Sequence, residues 1–480
     1  MRKKVLLGMV MSIVSISTFA GGLLTNTNQN AAFLRNPARD AVIAIDGVYT
    51  NPAGIAFLPQ GFHLSVSWQA AFQKRQLNSS NDLFQMNANN NSKNRFFEGV
   101  AKAPVIPSFQ AAYVINDKWS VSAQFAVGGG GGKCEFEEGL PMFEEMIGGA
   151  VYKNGGTSYE LTQNLTGKQY FYGIQLGATY KITDNFSVFG GARAVIASTG
   201  YEGAIRGIKA NGMSSADYSA LSAQAAAGAE QAAAAAAQAQ AAGQADVAAQ
   251  YAAAAEQYAA AAQQAGTVAA LTQDYELDCS QSGFGVTPII GVNWKLGKLN
   301  LAAKYEFKTK IELENESTNS KNVDALMPAY ANGAKVRSDI PALLTVGAQY
   351  EVLPSLRVMA GYHQYFDTDA EGSATAVSNN IWEALLGAEW DVNDKVLLSA
   401  GMQRTKYGFE DSEMGDTNFN ISSTALCIGG AYKFSEKMKL NIGYMHSFYE
   451  DHDFANASSG SLCSYTRKND VVGVSLDIRF

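Results

Sequence analysis

An alternation of apolar and polar residues at period two, recurring along almost the whole chain, is what most limits how this sequence can fold. In the stretch 284–296, FGVTPIIGVNWKL, Phe284, Val286, Ile290, Val292, Trp294 and Leu296 fall on one face of an extended strand. Gly285, Thr287, Gly291, Asn293 and Lys295 fall on the other. Just beyond, Leu299, Leu301, Ala303, Tyr305 and Phe307 oppose Asn300, Lys304, Glu306 and Lys308 in the same way. About fourteen such segments, each of roughly 10–14 residues, are legible from Gly61 onward. Globular strands average about 5–6 residues, whereas a tilted strand that crosses a bilayer needs about 9–11.

The expected strands lie near 61–73, 106–115, 119–128, 169–182, 185–197, 284–296, 299–312, 340–352, 355–366, 379–392, 395–406, 421–434, 437–449 and 469–480. Short links with turn chemistry, such as NDK at 116 and TDN at 183, alternate with long polar ones at 74–105, 129–168, 198–283, 313–339, 367–378, 407–420 and 450–468. Tight turns on one rim and long loops on the other, with an even strand count, describe a transmembrane barrel. An open sheet of this kind would leave long apolar edges exposed. The final strand, VVGVSLDIRF, turns Val472, Val474, Leu476, Ile478 and Phe480 toward lipid and Asp477 and Arg479 inward, and pairing it with the first strand closes the wall. The fold class is therefore all-β: a fourteen-stranded antiparallel transmembrane β-barrel over residues 61–480. A terminal aromatic on an alternating strand is also the assembly signal of bacterial outer-membrane proteins. It implies the barrel-assembly machinery as a partner and outer-membrane lipid as the surroundings.

The start of the chain agrees with export. Residues 1–20 carry a basic start (Arg2, Lys3, Lys4), an apolar run through Ile16 and small residues Ser17 and Ala20, which reads as a signal peptide. At 17% charged residues the chain is too polar for a helical membrane bundle, and no later run of about 18 apolar residues occurs. Glycine is plentiful at 46 and proline scarce at 10, a balance that suits strands and turns. The net charge of −8 disfavours nucleic acid as a partner. Residues 21–60 fit no spanning strand, yet AVIAI and GIAFL are too apolar for a free tail. They are expected to fold inside the lumen as a hatch.

The segment DAVIAIDGVYTNPAGIAFLPQG, followed at once by a strand, resembles the hatch of the FadL/TodX-like transporters of long-chain fatty acids and aromatic hydrocarbons. Asn51, Pro52 and Ala53, followed by Gly54, match the Asn-Pro-Ala motif of that family, and the hairpin NDKWSVSAQFAVG is similar as well. The resemblance implies a fourteen-stranded barrel in the bacterial outer membrane that takes up hydrophobic small molecules or fatty acids passively. The resemblance further implies that ligand is captured by extracellular loops, gated by the hatch and released sideways at a kink in the third strand. Gly128, Gly129, Gly130, Gly131 and Gly132 follow the third strand and are the candidate lateral opening, because a glycine run holds a ladder poorly. The competing reading is a flexible loop root with no gap. Phe136, Leu140, Met142, Phe143, Met146 and Ile147, at and before a short helix opened by Pro141, are the candidate capture surface. The neighbouring Glu135, Glu137, Glu138, Glu144 and Glu145 disfavour an anionic head group.

Residues 216–271 are nearly all alanine and glutamine and are expected to form an antiparallel helical hairpin of about 35 Å per arm, inserted in an extracellular loop. This insert departs from the family plan and makes a surface partner for the hairpin a second functional reading: a structural or adhesive outer-membrane protein with a closed barrel. Cys134, Cys279 and Cys463 fall in expected loops and Cys427 in a strand, and Cys134 with Cys279 is the favoured disulfide. His63, His363, His446 and His452 show no ligand spacing, and no nucleophile elbow occurs, so no catalytic site, metal or cofactor is expected. Arg193, Lys304, Glu306, Lys308, Arg357, Glu383 and Glu389 are expected to fill the lumen as ion pairs.

Overall fold

A computed structural model describes residues 23–372, 377–456 and 459–480; the expected signal peptide at 1–20 lies outside them. The wall begins with β1 (Gly61–Ser80), β2 (Asn94–Val114), β3 (Trp119–Phe136), β4 (Tyr159–Thr183), β5 (Phe186–Ala210) and β6 (Tyr275–Leu296). It continues with β7 (Leu299–Glu306), β8 (Ala342–Leu353), β9 (Leu356–Phe366), β10 (Trp382–Asp391), β11 (Val396–Lys406), β12 (Ser423–Ser435), β13 (Met438–Tyr449) and β14 (Leu462–Arg479). Neighbours in sequence are antiparallel neighbours in space throughout. β1 pairs with β14 from His63 opposite Arg479 to Ser80 opposite Leu462, so the fourteen strands close on themselves and leave no edge. Phe480 donates its backbone N–H to Phe62 O at 2.9 Å, and the two rings meet at 5.6 Å.

The two faces of the strands have opposite chemistry because the barrel has lipid outside and polar filling inside. Phe284, Val286, Ile290, Val292 and Trp294 are all exposed on the outer face, while Thr287 and Asn293 are buried within. Near the short turns, Tyr113, Trp119, Trp294, Trp390 and Phe480 are exposed together as an aromatic girdle, where amphipathic rings meet head groups. Among the described residues no helix is long and apolar enough to cross a membrane.

The strands run further on the long-loop side than the alternation indicates. β5 continues to Ala210 rather than ending near 197, and β6 starts at Tyr275 rather than 284. Above the bilayer the outward face no longer needs apolar residues. Glu202 opposite Asp278 and Ala204 opposite Glu276 continue the ladder with no lipid-facing signal. β7 is shorter than expected: its ladder breaks after Glu306 and resumes at Glu312–Ser317. Cys134, Cys279 and Cys463 consequently sit on strands, not in loops.

Residues 23–58 lie inside the barrel, most of them buried. Helix α1 (Ala31–Arg35) is capped by Asn30, whose side chain accepts from Ala32 N at 2.9 Å. Helix α2 (Gly47–Thr50) leads into a 3-10 turn at Pro52–Phe57. Above the rim stand α3 (Pro141–Lys153), the hairpin of α4 (Ser215–Ala241) and α5 (Ala245–Leu271), and the short α6 (Lys321–Leu326). Each hairpin arm has 27 residues, about 40 Å. Ser214 and Asp217 close a capping box on α4. Gly243 takes φ +72 in the turn, where a side chain would be strained, and Asp246 lies in the first turn of α5 without capping it.

Candidate functional site

The hatch is held by polar side chains of the wall. Asn51 accepts from Gly54 N at 3.1 Å and donates to Asn293 Oδ1 of β6 at 2.7 Å. Thr179 of β4 donates to Pro52 O at 2.8 Å and Ser187 of β5 to Ala53 O at 2.7 Å. Ala53 packs between Phe189 and Ile289. Asn51, Pro52, Ala53 and Gly54 thus form one turn clamped at the short-turn end of three strands. A proline-led 3-10 turn leaves carbonyls unpaired, and the wall hydroxyls take them up.

Charge completes the attachment. Arg35 and Arg39 meet Glu389 of β10 at 2.6 and 3.0 Å. Lys304 donates to Tyr49 O at 2.9 Å and to Glu306 at 2.6 Å, and Arg193 joins Glu306 at 2.6 Å. His363 lies 3.0 Å from Asp40 of the hatch and 2.8 Å from Glu383. Arg193, Lys304, Glu306, Glu383 and Glu389 therefore lie in the lumen as expected, whereas Lys308 donates to Asp369 O at an exposed position.

Sequence reasoning missed how the backbones approach. Each strand from β8 to β14 carries a glycine facing the hatch: Gly347, Gly361, Gly387, Gly401, Gly429, Gly443 and Gly473. A methyl at Gly443 would lie 2.7 Å from Arg35 N and 2.8 Å from Ala31 O. A glycine inside a strand pattern signals such an approach, and its recurrence at mid-strand was the available clue.

At the glycine run the ladder is interrupted. β2 and β3 pair up to Ala101 opposite Cys134 and again from Ser108 opposite Ala126, with no pairing between. On its other side β3 is bulged, Val127 opposing Tyr172, Gly129 opposing Phe171 and Gly132 opposing Gln169. On β2 the unpaired stretch contains Pro104 and Pro107, which have no N–H to give. Gly130 and Gly132 take φ +82 and +75.

From within, the first hatch residues fill the interruption. Asn26 N donates to Gly128 O at 2.9 Å and Asn26 Nδ2 to Gly130 O at 3.1 Å. Gln29 O accepts from Ser108 at 2.6 Å. A methyl on Gly129 would collide with Leu24 O. Leu23 and Leu24 are buried among Phe171, Leu343 and Tyr365. The cavity left between this segment and Ile106, Pro107 and Val127 is about 10 Å³, room for about one water.

At the opposite, long-loop end lies a cavity of about 810 Å³, within the usual range of ligand pockets. Of the expected capture residues, Met142, Phe143, Met146 and Ile147 line it; Phe136 and Leu140 are buried in the cluster beneath. The rest of its apolar wall comes from segments not anticipated: Leu165 of β4, Leu277 of β6, Val323 and Met327 at α6, and Leu271 at the end of α5. The hairpin base is thus part of the wall. Val268 packs with Ile147, Val151 and Ile205, and Gln264 donates to Asn154 O at 3.2 Å.

Glu145 and Asp416 also line the cavity. Asp416 accepts from Met142 N at 2.7 Å and from the Tyr465 hydroxyl, and Glu145 accepts from the Ser461 hydroxyl. Burial, and then the charge of Asp416, push the Glu145 carboxyl up to about 7. Burial likewise raises Asp416. Glu144 is turned away and paired with Arg95 at 2.8 Å.

The expected disulfide is not present: Cys134 and Cys279 are free, buried thiols. Cys134 is opposite Gly167, Gly167 opposite Tyr201, and Tyr201 opposite Cys279. Three strand spacings separate the thiols by about 14 Å along the wall, twice what a disulfide spans.

No protein-family model and no curated protein matches the sequence. The structure is similar to solved structures of a FadL homologue and of toluene transporters. A FadL homologue of Pseudomonas aeruginosa superposes with TM-score 0.64 at 12% identity, over 95% of this chain and 99% of that one. The toluene transporter TodX of P. putida gives 0.56 at 13%, over 91% and 94%. The toluene transporter TbuX of Ralstonia pickettii gives 0.52 at 14%, over 93% and 98%. By fold, the chain is a FadL-like fourteen-stranded β-barrel.

Proposed function

We propose that this protein is a passive outer-membrane conduit for hydrophobic compounds, drawn from long-chain fatty acids, aromatic hydrocarbons or similar lipophiles. Ligand enters the 810 Å³ cavity beneath the loops. It then passes the apolar interior around Leu23 and Leu24 and leaves sideways between β2 and β3 when the first hatch residues withdraw. The observation that carries this reading is the interrupted β2–β3 ladder whose lumen side is filled by residues 24–29 of the hatch. A barrel built only as a surface scaffold has no need to break a ladder and stopper it from within.

The test is a reversible staple. A Cβ on Gly132 would lie 3.4 Å from Ala103 Cβ, close to the separation of a disulfide-bonded pair, and the backbone strain of a side chain at φ +75 is common to the oxidised and reduced forms being compared. Ala103→Cys combined with Gly132→Cys, with Cys134 replaced by serine, closes the gap under oxidation and frees it under reduction. Uptake of a radiolabelled lipophile by cells is expected to fall at least fivefold when the staple is oxidised and to recover on reduction. Undiminished uptake through the oxidised barrel would overturn the lateral route.

A further inference from the structure

We propose that the extracellular cavity selects lipophiles whose polar group donates hydrogen bonds, a hydroxyl or an amine, over carboxylates of the same chain length. This rests on reading the cavity as the site where ligand is first captured, and it narrows the class of compound the conduit takes.

The argument starts from the unequal wall. Its apolar part is flexible and adaptable, with Met142, Met146, Met327 and Met414 among the lining side chains, which suits chains of varied shape. Its charged part is almost entirely acidic. Glu145 and Asp416 sit together between α3 and the strand ends, and Asp411 lies at the margin beside His452, 2.9 Å away. Among the described residues, the single basic side chain on the lining is Lys153. It lies eight residues along α3 from Glu145, about 12 Å away along the axis, and is exposed.

Burial raises both carboxyls, Glu145 to about 7 with the charge of Asp416 as the second cause, so negative charge is already costly at this wall and a further anion beside it costs more. Asp416 already accepts from Met142 N and the Tyr465 hydroxyl, which fixes it in place. A hydroxyl or ammonium entering here meets acceptors. A carboxylate meets like charge beside the buried Asp416 and the half-buried Glu145, and must be protonated or stay outside. The interior of the cavity is neutral to the tail and discriminates only on the head.

The experiment is equilibrium binding of hexadecanol, hexadecylamine and hexadecanoate to the full-length protein in a neutral detergent at pH 7.5. Hexadecanol and hexadecylamine are expected to bind at least tenfold more tightly than hexadecanoate. Glu145→Gln is expected to bring hexadecanoate to within about threefold of hexadecanol, chiefly by tightening hexadecanoate. Met146→Trp, which intrudes on the cavity from its α3 wall, should weaken all three. Equal affinities in the wild-type protein, or a preference for hexadecanoate, would overturn the selectivity and leave the conduit standing. Binding of all three that Met146→Trp leaves intact would instead overturn the cavity as the capture site. The oxidised staple across β2 and β3 reports on exit alone, so the two failures are separable.

Discussion

Arg35 of the hatch donates to Glu389 of β10 at 2.6 Å, and Arg39 reaches the same carboxylate oxygen at 3.0 Å, so one wall carboxylate holds two hatch guanidinium groups. Arg357 lies 3.7 Å from its other oxygen. Removing one partner of a buried pair costs roughly 3–5 kcal/mol because the remaining charge is left without a counter-ion. We predict that Glu389→Ala frees the hatch while the barrel stays folded. Hydrogen exchange in residues 31–50 should quicken, and ion conductance through single barrels in a planar bilayer should rise. Unchanged exchange and conductance would show that the pair does not hold the hatch.

Asn51 uses both ends of its amide, donating to Asn293 and accepting from Gly54 N. Asn51→Ala removes two hydrogen bonds, a loss of about 1–3 kcal/mol, while the Gly54 N–H keeps the Asn51 backbone carbonyl at 2.9 Å and Asn293 Oδ1 keeps the Asn300 amide at 2.9 Å. The 3-10 turn at Pro52–Phe57 is therefore predicted to exchange its amides about 5–150-fold faster. Asn51→Asp, which keeps the acceptor for Gly54, should recover part of that protection. Equal exchange in the two variants would mean that the Gly54 contact contributes nothing.

The parts of this architecture that touch lipid were legible in the sequence, because a bilayer forces every second residue to be apolar. Val286, Val292 and Trp294 announce β6 for that reason. The same strand is silent between Tyr275 and Gly283, where it stands above the bilayer and both faces tolerate polar residues. The hatch was legible as apolar sequence with no room in the wall. Its docking was not: the clue was seven separate glycines, each unremarked in its own strand and meaningful only once Arg35, Asn36 and Asp40 lie against them. Of the six residues of the expected capture stripe, four line the cavity. Met142, Phe143, Met146 and Ile147 face the cavity, whereas Phe136 and Leu140 are spent on the cluster that supports it. Val323, Met327 and Asp416 come from links that carry no periodic signal, so only the closed barrel brings them to the site.

Glu145 makes the loop region sensitive to pH. Its carboxyl is raised to about 7 in the folded protein, by burial first and by Asp416 second, against an ordinary value of 4.5. A raised acid favours the fold in its protonated form. Its stabilisation is fully present below about pH 4.5 and is lost as pH rises through about 7. The amides of α3 are thus predicted to be better protected, after correction for intrinsic rates, at pH 5 than at pH 8. Glu145→Gln should flatten that difference. Protection that rises with pH, or a difference that survives the substitution, would contradict the assignment.

The hairpin offers a prediction that separates its base from its length. Ser215 donates to Ala269 O at 2.7 Å, and Ser222 to Ala262 O at 2.8 Å, so the two arms are in contact near the wall. Only the base also touches the cavity, through Leu271 and the packing of Val268 against α3 and β5. Replacing the outer residues 226–258 with a short turn is predicted to leave binding of an apolar ligand unchanged. Replacing residues 216–271 with a flexible linker opens the cavity to water and is predicted to weaken binding at least fivefold. The folded barrel should keep its gel mobility without heating in both variants. If the second replacement binds as tightly as the intact protein, the base is not part of the capture wall. If the first already weakens binding, the outer arms act on the cavity by a route that their contacts do not provide.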